Sequence, residues 1–199
     1  MSLTTQLRPD LAVIAAHVAP ASRVLDIGCG DGSLMEALET GKDCDARGLE
    51  LDGALVERCV ARGLSVVQGD ANVDLADYPD KAFDYAILSQ TLQTATRPDL
   101  MLDELLRVGR RAFVSFPNFA HWRTRAALMF GGRMPVTRAL PVSWYETENI
   151  HHVTVEDFRD LAQMKGAKIE RAWFFAHEMQ ISDLGANWRA EFAVFELSR

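Results

Sequence analysis

Short apolar runs recur along the chain with helical stretches between them, and this alternation constrains the fold more than any other feature. The runs are RVLDI at Arg23–Ile27, ARGLE at Ala46–Glu50, LSVVQ at Leu64–Gln68, FDYAILS at Phe83–Ser89 and RAFVSF at Arg111–Phe116. Apolar residues at helical spacing occupy Leu34–Leu38, Leu55–Arg62 and Asp99–Val108, with Gly63 and Gly109 placed as stops. Strands alternating with helices predict an α/β fold with a parallel sheet and helices on both faces. Right-handed crossovers make such a sheet doubly wound. Ligands then bind beyond the carboxyl ends of the strands, where strand order reverses.

The remainder changes character. Asn118–Gly132 reads as a helix ended by Gly131 and Gly132, and an irregular run with Pro135 and Pro141 follows to His152. Thr154–Lys165 is helical, with Thr154 as N-cap and Asp157 at the third helical position. Ile169–Phe175 and Phe192–Leu197 read as strands whose connection is too short for a crossover helix, so they are expected to pair antiparallel. Residues 1–199 are expected to form a single domain, with an inserted helix and lid region at about 117–153.

The first run leads into GCGDG, with glycines at Gly28, Gly30 and Gly32. A dinucleotide loop wants its third glycine at position 33, which is serine here, and NAD stays the alternative ligand. Three acids point elsewhere. Asp26, two residues before the first glycine, repels a pyrophosphate but suits an ammonium group. Glu50 ends the second run, where a carboxylate accepts both ribose hydroxyls. Asp70 follows the third run, where a carboxylate accepts from an adenine amino group. An adenosine with a cationic amino-acid tail satisfies all three, which is S-adenosylmethionine or, without the methyl, S-adenosylhomocysteine. Each acid also has a plain role: Asp26 as a loop cap, Glu50 as a solvated strand end, Asp70 as a helix cap. The candidate contacts are Asp26, Gly28, Cys29, Gly30, Gly32, Glu50, Leu51, Asp70 and Ala71, with Ser89 and Gln90 at the end of the fourth run.

Composition closes off other classes. No apolar run approaches the ~18 residues of a membrane span. The start, MSLTTQLRPD, lacks a signal pattern, so a cytoplasmic location is expected. The three cysteines argue against a disulfide framework, and none of the five histidines pairs with one at metal-ligand spacing, so no metal is expected. The net charge of −7 is uneven. No acid stands between Glu104 and Glu146, a window holding Arg107, Arg110, Arg111, Arg123, Arg125, Arg133 and Arg138. This is either a solvated basic face or a positive surface for an anionic substrate or acidic partner. RNA fits poorly with the overall acidity and the lack of an RNA-binding module.

A methyl acceptor with an oxygen or nitrogen nucleophile often needs a base. His151 and His152, just before a helix N-terminus, are the candidates, and Tyr145 with Trp144 is a candidate lid. Phe119, Trp122 and Ala126 share one face of the expected helix, either as a cover on the core or as an aromatic anchor for a partner.

The acid-x-G-x-G-x-G loop and VVQGDAN resemble class I S-adenosylmethionine-dependent methyltransferases. That resemblance implies a Rossmann-like, seven-stranded doubly wound sheet with a C-terminal antiparallel hairpin. RVLDIGCGDGSL, LSQTLQ, ELLRVGRRAFVSFPNFAHWRTR, GGRMPVT and WYETENIHHVTVEDF resemble, more narrowly, the MetW family of methionine biosynthesis proteins. The narrower resemblance spans about Ala19 to Arg199. It implies a ligand-binding protein that supports the homoserine O-acyltransferase MetX. The alternative is a methyltransferase acting on a small anionic metabolite.

Overall fold

The computed structural model describes residues 7–137 and 140–199. The first half contains α1 (Pro9–His17), β1 (Arg23–Ile27), α2 (Ser33–Lys42), β2 (Asp45–Glu50), α3 (Gly53–Ala61), β3 (Ser65–Gln68) and α4 (Ala71–Asp74). Then come β4 (Phe83–Ser89), α5 (Pro98–Val108), β5 (Gly109–Pro117) and α6 (Trp122–Ala126). The chain finishes with α7 (Val155–Met164), β6 (Lys168–Ala176), β7 (Met179–Ile181), α8 (Ala186–Arg189) and β8 (Phe192–Ser198).

The strands form one sheet in the order β3-β2-β1-β4-β5-β8-β6-β7. The first five are parallel; β8 runs antiparallel to both β5 and β6, and β7 antiparallel to β6. The five parallel strands and the antiparallel pairing of the last two expected strands match the sequence reading. The sheet has eight strands, however, and not seven. The additional one is β7, which folds back on β6 through His177 and Glu178, at φ 48° and 69°. Two-residue turns of this hand favour Gly, Asn and Asp. None stands there, so the sequence carried no hairpin signal.

Side chains alternate across the sheet with period two. Val24, Tyr85, Ile87 and Phe113 pack beneath α1 and α2 against Ile14, Leu34 and Leu38. Leu25, Ile27, Leu88, Val114 and Phe116 pack on the other face with Leu102 and Leu105 of α5 and Phe158 of α7. The same parity brings Asp26, Ser89 and Ser115, at or near the carboxyl ends of β1, β4 and β5, to the α1 face. Strand order reverses between β1 and β4, so the glycine loop and Gln90 flank the crevice.

The expected helix Asn118–Gly132 begins four residues late. Asn118 holds the turn instead: its Oδ1 accepts from Ala120 N and Val155 N, and its Nδ2 donates to the Asn187 and Ala190 carbonyls. Phe119 therefore lies before α6 and is buried, whereas Trp122 is substantially exposed. Beyond α6 the backbone widens into a π turn at Ala127–Gly131.

Candidate functional site

All three loop glycines have positive φ, at 69°, 57° and 75° for Gly28, Gly30 and Gly32. Their surroundings differ. A Cβ on Gly32 meets Leu64 Cδ1 and Cys59 Sγ, so this glycine lets the start of α2 seat on the core. A Cβ on Gly30 meets nothing within 4 Å, so its bare face opens onto the crevice. Glu50 ties the loop down. Its Oε2 accepts from Gly30 N at 2.8 Å, and its Oε1 accepts from Leu51 N at 2.9 Å and Asp52 N at 3.0 Å. Each carboxylate oxygen has two acceptor directions. Among the described residues one direction on Oε2 stays open.

Two cavities meet at Gly28. The first, about 410 Å³, is lined by Glu50, Leu51, Asp70, Ala71, Gln90 and Thr91 among others. The second, about 400 Å³, is lined by Arg8, Asp26, Cys29, Gly30, Ser33 and Ser89 among others. Of the residues singled out around the loop, Gly32 alone lines neither, because it faces the core. Asp70 caps α4, its Oδ1 accepting from Asn72 N at 2.9 Å, and still faces the first cavity. The plain role and the binding role coexist there. Gln90 stands at φ 52°, a conformation non-glycine residues seldom adopt, with its N–H on the Ser115 carbonyl at 2.9 Å.

Burial pushes the Asp26 carboxyl up to about 7, against the opposing pull of Arg8. Among the described residues no group donates a hydrogen bond to it. Burial also pushes the Cys29 thiol well above its ordinary range, so Cys29 is an inert lining residue. Above Asp26 sits a network the sequence reading missed. Asp10 of α1 is buried and accepts from Arg8 Nε and Nη2 at 3.2 and 3.1 Å, and from the Ser89 and Ser115 hydroxyls at 3.0 Å each. Arg8 Nη2 also donates to Ser89 Oγ at 3.0 Å. Pro9 at the first helical turn, with Leu11, Ile14 and Val18 spaced as one apolar face, was the available signal for α1.

The family profile described as "Methionine biosynthesis protein MetW" matches residues 8–197. The chain belongs to the MetW family. A curated relative from Rhodopirellula baltica, the bifunctional methionine biosynthesis protein MetXA/MetW, is 33% identical over 178 residues, or 85% of this chain. The chain spans 29% of the length of that relative. Two solved structures share the fold. A SAM-dependent methyltransferase from Archaeoglobus fulgidus matches with a TM-score of 0.74 at 15% identity, over 98% of this chain and 94% of that one. An S-adenosylmethionine-dependent methyltransferase from Mesorhizobium loti gives 0.72 at 19% identity, over 98% and 100%. The architecture is thus a Rossmann-like, methyltransferase-type α/β fold, as the resemblance implied.

In this MetW-family chain the candidate bases line neither of the two cavities. His151 has a buried Nε2 without a hydrogen bond, and its N–H donates to the Gln93 carbonyl at 3.0 Å. His152 meets the Phe119 ring edge-on at 4.8 Å and lines a separate apolar pocket with Trp144. Tyr145 is exposed and packs edge-on against Trp144. A histidine the sequence reading left unassigned, His121, is buried near Glu191, and burial lowers its pKa from the ordinary value. The arginine window divides in two. Arg107 pairs with Asp80 and Glu104, Arg110 with Asp84, and Arg111 with Glu196. Arg123, Arg125 and Arg133 form no ion pair among the described residues, and Arg138 lies outside them. Among the described residues no helix is long and apolar enough to cross a membrane.

Proposed function

We propose that this MetW-family chain binds S-adenosylmethionine or S-adenosylhomocysteine and supports a homoserine O-acyltransferase (MetX) in methionine biosynthesis. The carrying observation is the relative in which MetW is fused to MetXA. Two activities joined in one chain are held together at high effective concentration, which benefits parts that act on each other. The crevice supports the ligand. Gly30 offers bare backbone, Glu50 Oε2 has an acceptor direction for a ribose hydroxyl, Asp70 faces the position for an adenine amino group, and Asp26 awaits a cation. Leu51 and Ala71 supply apolar contact for the base. Sensing requires that ligand bind the free and partner-bound forms with different affinity.

Calorimetric titration with S-adenosylmethionine, alone and with the acyltransferase present, tests this. Tighter binding in the presence of the acyltransferase is expected. Absence of any association between the two proteins, with or without ligand, sinks the proposal.

One observation favours the second reading, methyl transfer to a small anionic metabolite. Burial lowers the His121 pKa from its ordinary value, against the opposing pull of Glu191, and Glu191 also lines a cavity with Arg8, Asp10 and Gln90. The bound ligand would supply an electrophilic methyl group there, and His121 would hold the acceptor's proton. Acceptor-dependent formation of S-adenosylhomocysteine, lost in His121→Ala, is its test.

A further inference from the structure

Residues 147–152, just before α7, form a wall shared by two cavities. Glu148 lines the crevice that also holds Glu50 and Asp70. Thr147 and Asn149, its neighbours on either side, line instead an apolar pocket of about 350 Å³ with Phe119, Met134, Trp144 and His152. This strap is pinned at one residue. The Gln93 carbonyl accepts from Ile150 N at 2.9 Å and from His151 N at 3.0 Å. Gln93 sits in the tight turn Leu92–Thr94 after β4, beside Thr94, which lines the crevice. Its buried side chain donates from Nε2 to the Gln90 carbonyl at 2.6 Å, and Gln90 lines the crevice as well. The pin is not fully satisfied: Gln93 Oε1 and His151 Nε2 are both buried without a hydrogen bond among the described residues. Buried polar atoms are nearly always paired, so two orphans at one joint leave bonding capacity for a second arrangement. Ahead of the pin, the Glu146 and Thr147 N–H groups bond only locally, to the Ser143 carbonyl, so this stretch can shift without breaking the sheet.

We propose that the strap closes on the nucleoside half of the ligand through Glu148 and carries the occupancy of the crevice to the apolar pocket on its far side. This rests on the reading of the crevice as an adenosylmethionine site. Charge supplies the driving force. Glu50, Asp70 and Glu148 are three carboxylates around one cavity, and Glu148 forms no ion pair among the described residues. Like charges around one cavity repel. A nucleoside brings hydroxyl and amino donors and no negative charge, so it offers the carboxylates a shared set of donors. The empty crevice therefore pushes Glu148 outward, and the filled crevice draws it in. A ligand shifts such an equilibrium only through contacts that differ between the two states, and Glu148 provides that difference. Thr147 and Asn149 flank Glu148 on the same peptide run, and Asn149 N donates to Thr147 Oγ1 at 3.1 Å, so both move with it. Inward movement of Glu148 thus reshapes the wall of the apolar pocket. Gln93 is a positioning residue in this scheme, since it holds the strap and lines neither cavity.

The experiment reads the strap by nuclear magnetic resonance on the full chain, with binding followed by calorimetry. Amide exchange at Ile150 and His151 is measured without ligand, with saturating S-adenosylmethionine, and with saturating 5′-methylthioadenosine. Each rate is taken relative to the β6 amides, so that the overall stabilisation any ligand brings cancels. Both ligands are expected to slow exchange at least fivefold, since both carry the nucleoside half. The Trp144 indole resonance, assigned by its loss in Trp144→Phe, is expected to shift with the same ligands. Glu148→Gln keeps the shape and removes the charge. It is expected to show slowed exchange already without ligand and a smaller further response to it. S-adenosylmethionine that binds while Ile150, His151 and Trp144 stay unchanged overturns the inference and leaves the adenosylmethionine reading standing. A Glu148→Gln chain that matches wild type in both states overturns it too. Absence of S-adenosylmethionine binding overturns the adenosylmethionine reading and this inference with it.

Discussion

Asp26 occupies a position that works against stability. Its unfolded-state carboxyl ionises near 4, whereas burial in the fold raises it to about 7. Between those values the folded state keeps a proton that the unfolded chain has lost, so stability falls as pH rises through this window. Above it the penalty is fully present. Asp26→Asn is therefore expected to stabilise the free protein by about 2–4 kcal/mol at pH 8 and hardly at all at pH 4. Urea denaturation at the two pH values checks this; an equal effect at both would remove burial as the cause. The same variant should bind S-adenosylmethionine at least tenfold more weakly. Gain of stability with loss of binding marks a group retained for function. Glu50 behaves in the opposite way. Glu50→Ala deprives three backbone N–H groups of their acceptor and is expected to cost about 1–3 kcal/mol of stability, with a weaker ligand affinity alongside. A melting temperature and affinity both equal to wild type would show that neither loop nor ligand leans on it. Both acids were legible in the sequence because they stand at fixed offsets from a glycine motif. Arg8, Asp10 and Ser115 were not, since each is an ordinary residue until the sheet brings three distant segments together.

At the level of elements, the strand-loop-helix at β1 and α2 assigns separate jobs to its glycines, and substitution should separate them. Gly32→Ala drives a Cβ against Leu64 and Cys59 at a φ of 75°, so it is expected to lower stability by at least 2 kcal/mol. Gly30→Ala also pays for its φ of 57°, about 1 kcal/mol, but its Cβ meets open space. Its larger effect is expected on ligand affinity. Thermal melts and calorimetry on both variants read the two quantities, and equal affinity loss in the two would show the crevice does not begin at Gly30. The parallel half of the sheet was readable because buried strands are apolar runs bounded by turn residues. The later elements resisted for local reasons. Asn118 spends its side chain on four hydrogen bonds that delay α6, and the β6–β7 turn uses His177 and Glu178 where glycine or asparagine would announce it. α1 carried a helical pattern, but nothing in that pattern tied it to the glycine loop.

At the scale of the whole molecule, the stretch between β5 and α7 combines unpaired arginines with exposed aromatic side chains. The chain carries a net charge of −7, yet three of the five arginines that form no ion pair among the described residues, Arg123, Arg125 and Arg133, fall between β5 and α7; the other two are Arg58 and Arg189. Arg123 lies over the Trp122 ring and Arg125 over the Trp188 ring, so two cations are presented on aromatic platforms. Phe130 is 81% exposed and Trp144 is 74% exposed. Aromatic and arginine side chains are the types that dominate protein interfaces. If the acyltransferase docks, this stretch is where it should meet the chain, with acidic groups opposite the arginines. Phe130→Asp removes only solvent-facing contacts, so its effect on stability is expected to stay within about 0.5 kcal/mol and ligand affinity to stay at the wild-type value. Association with the acyltransferase, read by size exclusion and a surface-binding assay, is expected to weaken at least tenfold. Arg123→Glu with Arg133→Glu should weaken it further at low salt than at high salt, because opposed charges are screened as ionic strength rises. Unaltered association in both variants would move the partner to another face while leaving the crevice and its ligand untouched.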